Sequence, residues 1–300
     1  MLAEVLSVFE PLDGATVVDC TLGYGGHATE LLQRVGPTGR LVGFDLDASN
    51  LSDVQEHLST IGHPFSLHHS NFAAIPTILG EQSIDGADAI LADLGMSSMQ
   101  VDDADRGFSF MREGPLDMRM DRSRGRTASE LVMTLSAEEL ATAFRELGDE
   151  PDAERIANAI VAERETTTLE RTTQLRELIE RASPVKVQFI AGKHNPTARQ
   201  QQVRPAARVF QSLRILVNRE LANLQHLLRM LPHVLKPGGK AVLISFHSGE
   251  DRLIKSAFKE GQHKGIYSRI ADEPLRPDGE ERFVNPRSRS AKLRWAELKK

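Results

Sequence analysis

Thr16-Val-Val-Asp-Cys-Thr-Leu-Gly-Tyr-Gly-Gly-His-Ala28 sets the architecture of this 300-residue chain. Thr16 to Cys20 is a short apolar, β-branched run, with Asp13-Gly14 before it and glycines after it. That pattern reads as a buried strand. His27 to Val35 then reads as a helix with Leu31, Leu32 and Val35 on one side. Glycines at a strand–helix turn let the backbone approach a ligand closely. Gly23-x-Gly25-x-x-Ala28 fits the dinucleotide fingerprint, and Asp45 lies about twenty residues on, where a ribose-binding acid belongs.

Further strands follow the same logic. Leu41-Val-Gly-Phe-Asp45 is a second strand, and Phe65 to His69 a weaker third. Ala87 to Asp93 is a fourth. Lys240-Ala-Val-Leu-Ile-Ser-Phe246 is a fifth, led by a Pro237-Gly-Gly turn. Strands alternating with helical stretches imply a doubly wound α/β sheet. Lys292 to Trp295 alternates as a final strand would.

Between the fourth and fifth strands the pattern turns helical. Ser136-Ala-Glu-Glu139 is a capping box for a helix that stops at Gly148. Pro151 suits the first turn of a second helix, with Ile156 and Ile160 on one face. Thr172 or Thr173 caps a third, with Leu175, Leu178 and Ile179 inward and Ser183-Pro184 as its stop. One long amphipathic helix from Pro205 towards Leu231 returns to the sheet, through Phe210, Leu213, Val217, Leu221, Leu224 and Leu228. The expected organisation is a sheet domain from 1–121 and 204–300, with a helical, substrate-binding subdomain inserted over 122–203.

Leu91 to Asp121 starts in the last residues of the fourth strand and, after Asp93, has neither strand nor helix period. It holds Asp93, Gly95, Ser97, Ser98, Gln100, Asp102, Asp103, Phe108 and Phe110. Ligands of parallel α/β sheets bind beyond the carboxyl ends of the strands, and long irregular loops in compact domains are usually functional. Asp93, closing the fourth strand, is the leading candidate for catalysis.

Composition narrows the class. No apolar run approaches the ~18 residues of a membrane span, and the N-terminus lacks a basic-then-apolar leader. The expectation is a soluble, cytoplasmic protein with no membrane partner. A single cysteine, Cys20, excludes an internal disulfide framework and a cysteine metal cluster. It reads as a small buried residue. His63, His68 and His69 have no carboxylates at ligand spacing, so no metal is expected. The net charge of −5 conceals an asymmetry. Residues 1–180 carry 13 Lys/Arg and 32 Asp/Glu, whereas 181–300 carry 24 and 10. Arg181 to Arg219 has eight cations and no acid. Such polarity suits a polyanion on one face, or simply a solvated basic surface.

The glycine loop leaves two ligands open, a nicotinamide cofactor or S-adenosylmethionine, and glycines serving only a tight turn are the bland alternative. Four features favour the methyl donor: Asp19 inside the first strand, Asp93 at the end of the fourth, Pro237-Gly238-Gly239 before the fifth, and an acidic N-terminal half that suits a sulfonium cation.

One set of motifs is far more specific. Thr21-Leu-Gly-Tyr-Gly-Gly-His27, Asp93-Leu-Gly-Met-Ser-Ser98, Gln100 with Asp102-Asp103, Arg106-Gly-Phe-Ser-Phe110, Gly114-Pro-Leu-Asp-Met-Arg-Met-Asp121, Arg208-Val-Phe-Gln-Ser-Leu-Arg214, Ser245-Phe-His-Ser248 with Glu250-Asp-Arg252, and Asn285-Pro-Arg-Ser-Arg-Ser-Ala-Lys-Leu-Arg294 occur in this order over nearly the whole chain. Together they resemble the bacterial small-subunit ribosomal RNA (cytosine-N4) methyltransferases. The resemblance implies a Rossmann-like class I methyltransferase sheet with an inserted all-helical subdomain. It also implies S-adenosyl-L-methionine as cofactor, and a decoding-centre cytosine of 16S rRNA in the small ribosomal subunit as acceptor. Carried over by motif, Gly25, Gly26 and His27 line the methionine part of the cofactor. Asp45 takes the ribose, Phe72 lies against the adenine, and Asp93 and Gln100 complete the pocket. Relatives carry a His-x-Pro-Val stretch before the Leu-x-Glu that stands here as Leu2-Ala-Glu4, and this sequence opens at Met1 without it. Gly249 stands where leucine is usual, and Gln200-Gln-Gln-Val-Arg-Pro205 lengthens the junction into the long helix.

Chemistry gives these residues tasks. The cytosine N4 lone pair is delocalised into the ring, so an acceptor that grips the N4 protons favours the reactive form. Asp93 fits that task, and contact with the cofactor alone fits it equally. Ser97 and Ser98 are placed to orient the base. Phe108 and Phe110 either stack on bases or plug a core under the loop, the second being the commoner use of such residues. Arg287, Arg289, Lys292 and Arg294, with the Arg181–Arg219 stretch, are candidates for phosphates. His247, at the exit of the fifth strand, is either beside the substrate or a hydrogen-bonded structural group. A non-catalytic RNA-binding module on the same scaffold and a nicotinamide oxidoreductase are the competing classes. A monomer and a homodimer both remain open.

Overall fold

The structure, a computed structural model, describes residues 1–184 and 204–300. The expected Gln200–Pro205 junction, apart from Arg204 and Pro205, and the middle of the basic stretch lie outside the described residues. The chain divides into two compact units, Met1–Gly95 with Leu221–Lys300, and Met96–Glu220. Among the described residues no helix is long and apolar enough to cross a membrane.

The first unit holds seven strands: β1 (Thr16–Asp19), β2 (Arg40–Asp45), β3 (Phe65–His69), β4 (Ala87–Asp93), β5 (Leu235–Ser245), β6 (Tyr267–Ile270) and β7 (Lys292–Leu298). They form one sheet in the order β3-β2-β1-β4-β5-β7-β6. The first five are parallel, and β7 runs antiparallel between β5 and β6. This is the Rossmann-like methyltransferase sheet that the motifs imply.

Strand sequences explain why both faces are covered. Successive strand residues point to opposite faces. Val17, Leu41, Ala89, Leu91 and Val242 pack with Leu31, Leu32 and Val35 of the helix Gly26–Val35, and with Val5 and Phe9 of the helix Leu2–Phe9. Their neighbours Val18, Val42, Ile90, Ala92 and Leu243 pack on the other side with Ile75, Leu228, Ile254 and Phe258. Two cores on one sheet require near-continuous apolar runs, as a buried parallel sheet does. Each fully buried leucine or isoleucine contributes about 1.5–3 kcal/mol.

Three local expectations change. Pro237-Gly238-Gly239 is not a turn ahead of the fifth strand but an irregularity within it, since Ala87 pairs with Leu235 and Ala89 with Lys240. The single long helix is two, Arg204–Asn218 and Glu220–Val234. The chain breaks at Arg219, whose φ is 52°. Asn218 holds the break: its side chain donates to Met118 O and Arg214 O and accepts from Met120 N–H. Thr172 does not cap its helix. Its hydroxyl donates to Arg112 O at 2.6 Å and accepts from Gly114 N–H at 3.0 Å.

The second unit is built on the helices Ala128–Thr134, Ala137–Gly148, Ala153–Glu163, Thr172–Ala182 and Arg204–Asn218. Ser136 and Glu139 form the expected capping box. Leu140, Phe144, Ile156, Ile160, Leu178 and Phe210 share one core, and Phe108, Leu116 and Met118 of the long loop join it. The loop is folded tightly on itself. A Cβ on Gly107 would lie 2.0 Å from Pro115 O, and one on Gly114 1.8 Å from Ala104 O. Buried Arg106 donates to Arg119 O and Met120 O. Phe108 is thus a core residue, and Phe110 stands edge-on to Phe210 at 5.7 Å.

Candidate active site

Parallel pairing brings three carboxylates to one edge of the sheet. β1 lies between β2 and β4, and the three strands end in Asp19, Asp45 and Asp93. Thr21, just past β1, connects two of these ends. Its N–H donates to Asp19 Oδ1 at 3.0 Å, and its Oγ1 accepts from Asp93 N–H at 2.7 Å.

The acids differ in environment. Asp19 is wholly buried, and its Oδ2 has no partner. Burial pushes its carboxyl up to about 7, with the charges of Asp93 and Asp45 adding to the rise against the Thr21 hydrogen bond. Asp45 accepts from Gly23 N–H at 2.7 Å and Asp47 N–H at 2.8 Å. Burial raises it as well, and those two bonds oppose the rise. Asp93 keeps about a third of its side chain open (31%), while its Oδ1 is buried without a partner. Burial again pushes it up to about 7; the Met1 ammonium opposes that, and Glu250 and Glu281 reinforce it.

His27 stands beside Asp93, with Nδ1 3.7 Å from Asp93 Oδ2. Burial lowers His27 to about 4. The imidazole is therefore neutral at pH 7, and the contact is not an ion pair. The helix Gly26–Val35 that carries it begins without a side-chain cap at N-cap Gly25, which adopts a left-handed φ of 77°. A side chain there would be strained and would meet Val54 at 3.1 Å. At Gly26 nothing lies within 4 Å of where a Cβ would stand. The first turn of this helix is open, and its N–H groups form a positive helix end suited to an anionic group.

The remaining candidates sort differently. Phe72, past β3 on the same edge, is buried among Phe44, Ile75 and Leu94 in the sheet core. Gln100 belongs to the second unit. Its Oε1 accepts from Ser97 N–H at 3.1 Å, and its own N–H donates to Ser97 Oγ at 3.2 Å, a reciprocal pair at the start of the short helix Ser98–Asp102. His247 is the N-cap of the helix Ser248–His263, where it accepts from Glu250 N–H while Glu250 Oε2 accepts from Phe246 N–H at 2.9 Å. Lys292 and Arg294 are not available to phosphates. Both pair with Asp251, at 2.8 and 2.6 Å, and Arg294 is buried. Arg181, Arg208 and Arg214 of the basic stretch pair with Glu163, Glu150 and Glu220. Sequence reasoning gave Thr21 no role and treated Asp19 only as a pattern feature.

Residues 1–299 match the family model described as the MraW methylase family. A Syntrophotalea carbinolica protein named ribosomal RNA small subunit methyltransferase H is 43% identical over 309 residues, covering 98% of this chain and 95% of its own. A Geotalea uraniireducens protein of the same name is 42% identical over 312 residues, covering 99% and 96%. A Lachnoclostridium phytofermentans protein, ribosomal RNA small subunit methyltransferase H 1, is 40% identical over 297 residues, covering 98% and 79%. The carboxylate edge, the open glycine turn and a match along essentially the whole chain agree, and the chain belongs to the MraW methylase family.

Proposed function

We propose that this protein uses S-adenosyl-L-methionine to methylate N4 of a decoding-centre cytosine in 16S ribosomal RNA. The observation that carries this reading is Asp93, a carboxylate at the end of β4 with one buried oxygen lacking a partner. An unsatisfied buried acceptor on a side chain that is still about a third exposed calls for a donor, and an exocyclic amine is such a donor.

The cofactor suits the residues present. It is a sulfonium and an ammonium, and the site offers Asp19, Asp45 and Asp93. Gly25, Gly26 and His27 would line its methionine part, where room remains over Gly26. Asp45 already accepts two backbone N–H groups, and a carboxylate has further lone pairs for ribose hydroxyls. The resemblance adds Phe72 for the adenine and Gln100 as a further contact. When bound, S-adenosyl-L-methionine supplies a methyl group on a positively charged sulfur.

The chain's own groups do the rest. Asp93 accepts a hydrogen bond from N4–H, which draws the amine towards its reactive form. It then takes the proton that the methylated nitrogen releases. A carboxyl poised near neutrality is matched to that exchange. Neutral His27 flanks Asp93 without placing a competing cation there. The helical unit supplies the RNA-binding surface, with the target base unstacked from its neighbours.

Mass spectrometry of 16S rRNA nucleosides from cells with and without this gene tests the reading. Loss of N4-methylated cytosine on deletion supports it, and an unchanged nucleoside profile sinks it.

A further inference from the structure

The segment just before β7 has no part in the chemistry above, yet it lies at the same sheet edge. Lys292, the first residue of β7, pairs with Ser245 at the end of β5, and Ile244 pairs with Asp93. The short helices Gly279–Val284 and Pro286–Ser290 immediately precede that strand. Glu281 binds the Met1 ammonium, and its charge is felt at both His27 and Asp93.

This segment carries the most exposed large apolar side chains described. Phe283 and Val284 are 83% and 75% exposed, against 38–48% for Tyr24, Met111 and Leu275. Phe283 lines an open pocket of about 440 Å³ with Gly279, Arg282 and Arg289. Arg282 is oriented by its Nε bond to Asp278 O at 2.9 Å. From Arg282 to Ser290 the chain has three arginines, Arg282, Arg287 and Arg289, and no acid. An exposed aromatic ring flanked by guanidiniums is the pattern that binds single-stranded nucleic acid, since every base has a face to stack and every nucleotide a phosphate to neutralise.

We propose that Phe283, Arg282 and Arg289 form a platform for one unpaired nucleotide flanking the target base, with its base on Phe283 and its phosphate between the two arginines. The platform rests on the reading that the substrate is RNA. It holds the strand next to the Asp93 edge through contacts that carry no sequence information.

The test uses the full chain and a short fluorescein-labelled single-stranded RNA, read by anisotropy across a salt series. Methyl transfer to small subunits from a strain lacking the gene is measured in parallel. Phe283→Ala is expected to weaken RNA binding about tenfold, Phe283→Trp to restore it, and Phe283→Leu to fail. Arg289→Gln is expected to flatten the slope of log affinity against log salt by about 0.7. S-adenosyl-L-methionine affinity by calorimetry stays unchanged in all four. Wild-type affinity in both Phe283→Ala and Arg289→Gln overturns the platform, as does full rescue by leucine. Loss of self-association in Phe283→Ala at unchanged RNA affinity overturns it too, and identifies a contact between copies. A wild-type chain that neither binds RNA nor methylates the subunit refutes the RNA substrate itself, a result distinct from failure of the platform alone.

Discussion

His27 Nδ1 lies 3.7 Å from Asp93 Oδ2, which brings the start of the helix Gly26–Val35 up to the end of β4 at the candidate site. Burial has opposite effects on the two charges, lowering the imidazole to about 4 and raising the carboxyl to about 7. Near neutral pH the histidine has lost its proton and the carboxyl is half ionised. Asp93→Asn keeps the shape and removes the acceptor charge. Single-turnover methyl transfer should fall by about 10²- to 10⁴-fold, the usual contribution of a positioned proton acceptor. S-adenosyl-L-methionine binding should persist, and near-wild-type transfer would remove Asp93 from the chemistry.

The pH dependence of transfer follows from the same carboxyl. If the ionised form accepts the N4 proton, the rate climbs as pH rises through about 7 and then levels. Asp19, also near 7, is coupled to Asp93, so the apparent value belongs to the pair. His27, already neutral above about 4, adds no second limb. A rate flat from pH 6 to 8 would contradict the acceptor role.

Stability has the opposite slope. Asp19 is wholly buried, and its carboxyl moves from an ordinary 3.8 when unfolded to about 7 when folded. Between those values the folded state binds more protons, so stability is full below about 4 and falls as pH rises to about 7. A shift of this size corresponds to a few kcal/mol. Asp19→Asn, which keeps the acceptor for Thr21 N–H, should flatten that part of the Tm–pH curve. A wild-type Tm that does not fall over this range would contradict the buried charge.

Thr21 makes a separate prediction. Thr21→Val keeps the shape but leaves Asp93 N–H without its 2.7 Å acceptor. The expected cost is about 1–3 kcal/mol in thermal or denaturant unfolding, with a matching loss of transfer rate as the end of β4 loosens. Thr21→Ser should restore both.

Thr21 also shows where sequence reading stops. Strands buried on both faces are long apolar runs, so β1, β2 and β4 and the acids that close them are legible. The Ser136 capping box is legible because it is local. Thr21 acts on Asp93, 72 residues away, through a pairing no local window contains. Lys292 and Arg294 look like free cations because Asp251 is 41 and 43 residues distant. β6 is hidden because only Tyr267 of its four residues is buried. The break at Arg219 has neither glycine nor proline to announce it, and rests on Asn218 reaching back about a hundred residues. The Arg106–Asp121 motif points to a functional loop, but much of it proves to be a fold device, closed by Gly107 and Gly114 and pinned by Arg106.

The glycine turn offers the cleanest separation of folding from ligand binding. Gly25→Ala places a side chain at φ 77° and 3.1 Å from Val54, so it should lower Tm and cofactor affinity together. Gly26 is the first residue of the helix, and a Cβ there meets nothing within 4 Å. Gly26→Ala should leave Tm unchanged or raise it slightly, because alanine favours the helix by up to about 1 kcal/mol. If the open space over Gly26 admits the cofactor, that single methyl should weaken S-adenosyl-L-methionine binding about tenfold, or 1.4 kcal/mol. Calorimetry on a variant with intact Tm decides the matter. Unchanged affinity would move the cofactor away from the first turn of the helix, and with it the roles assigned to Gly25 and His27.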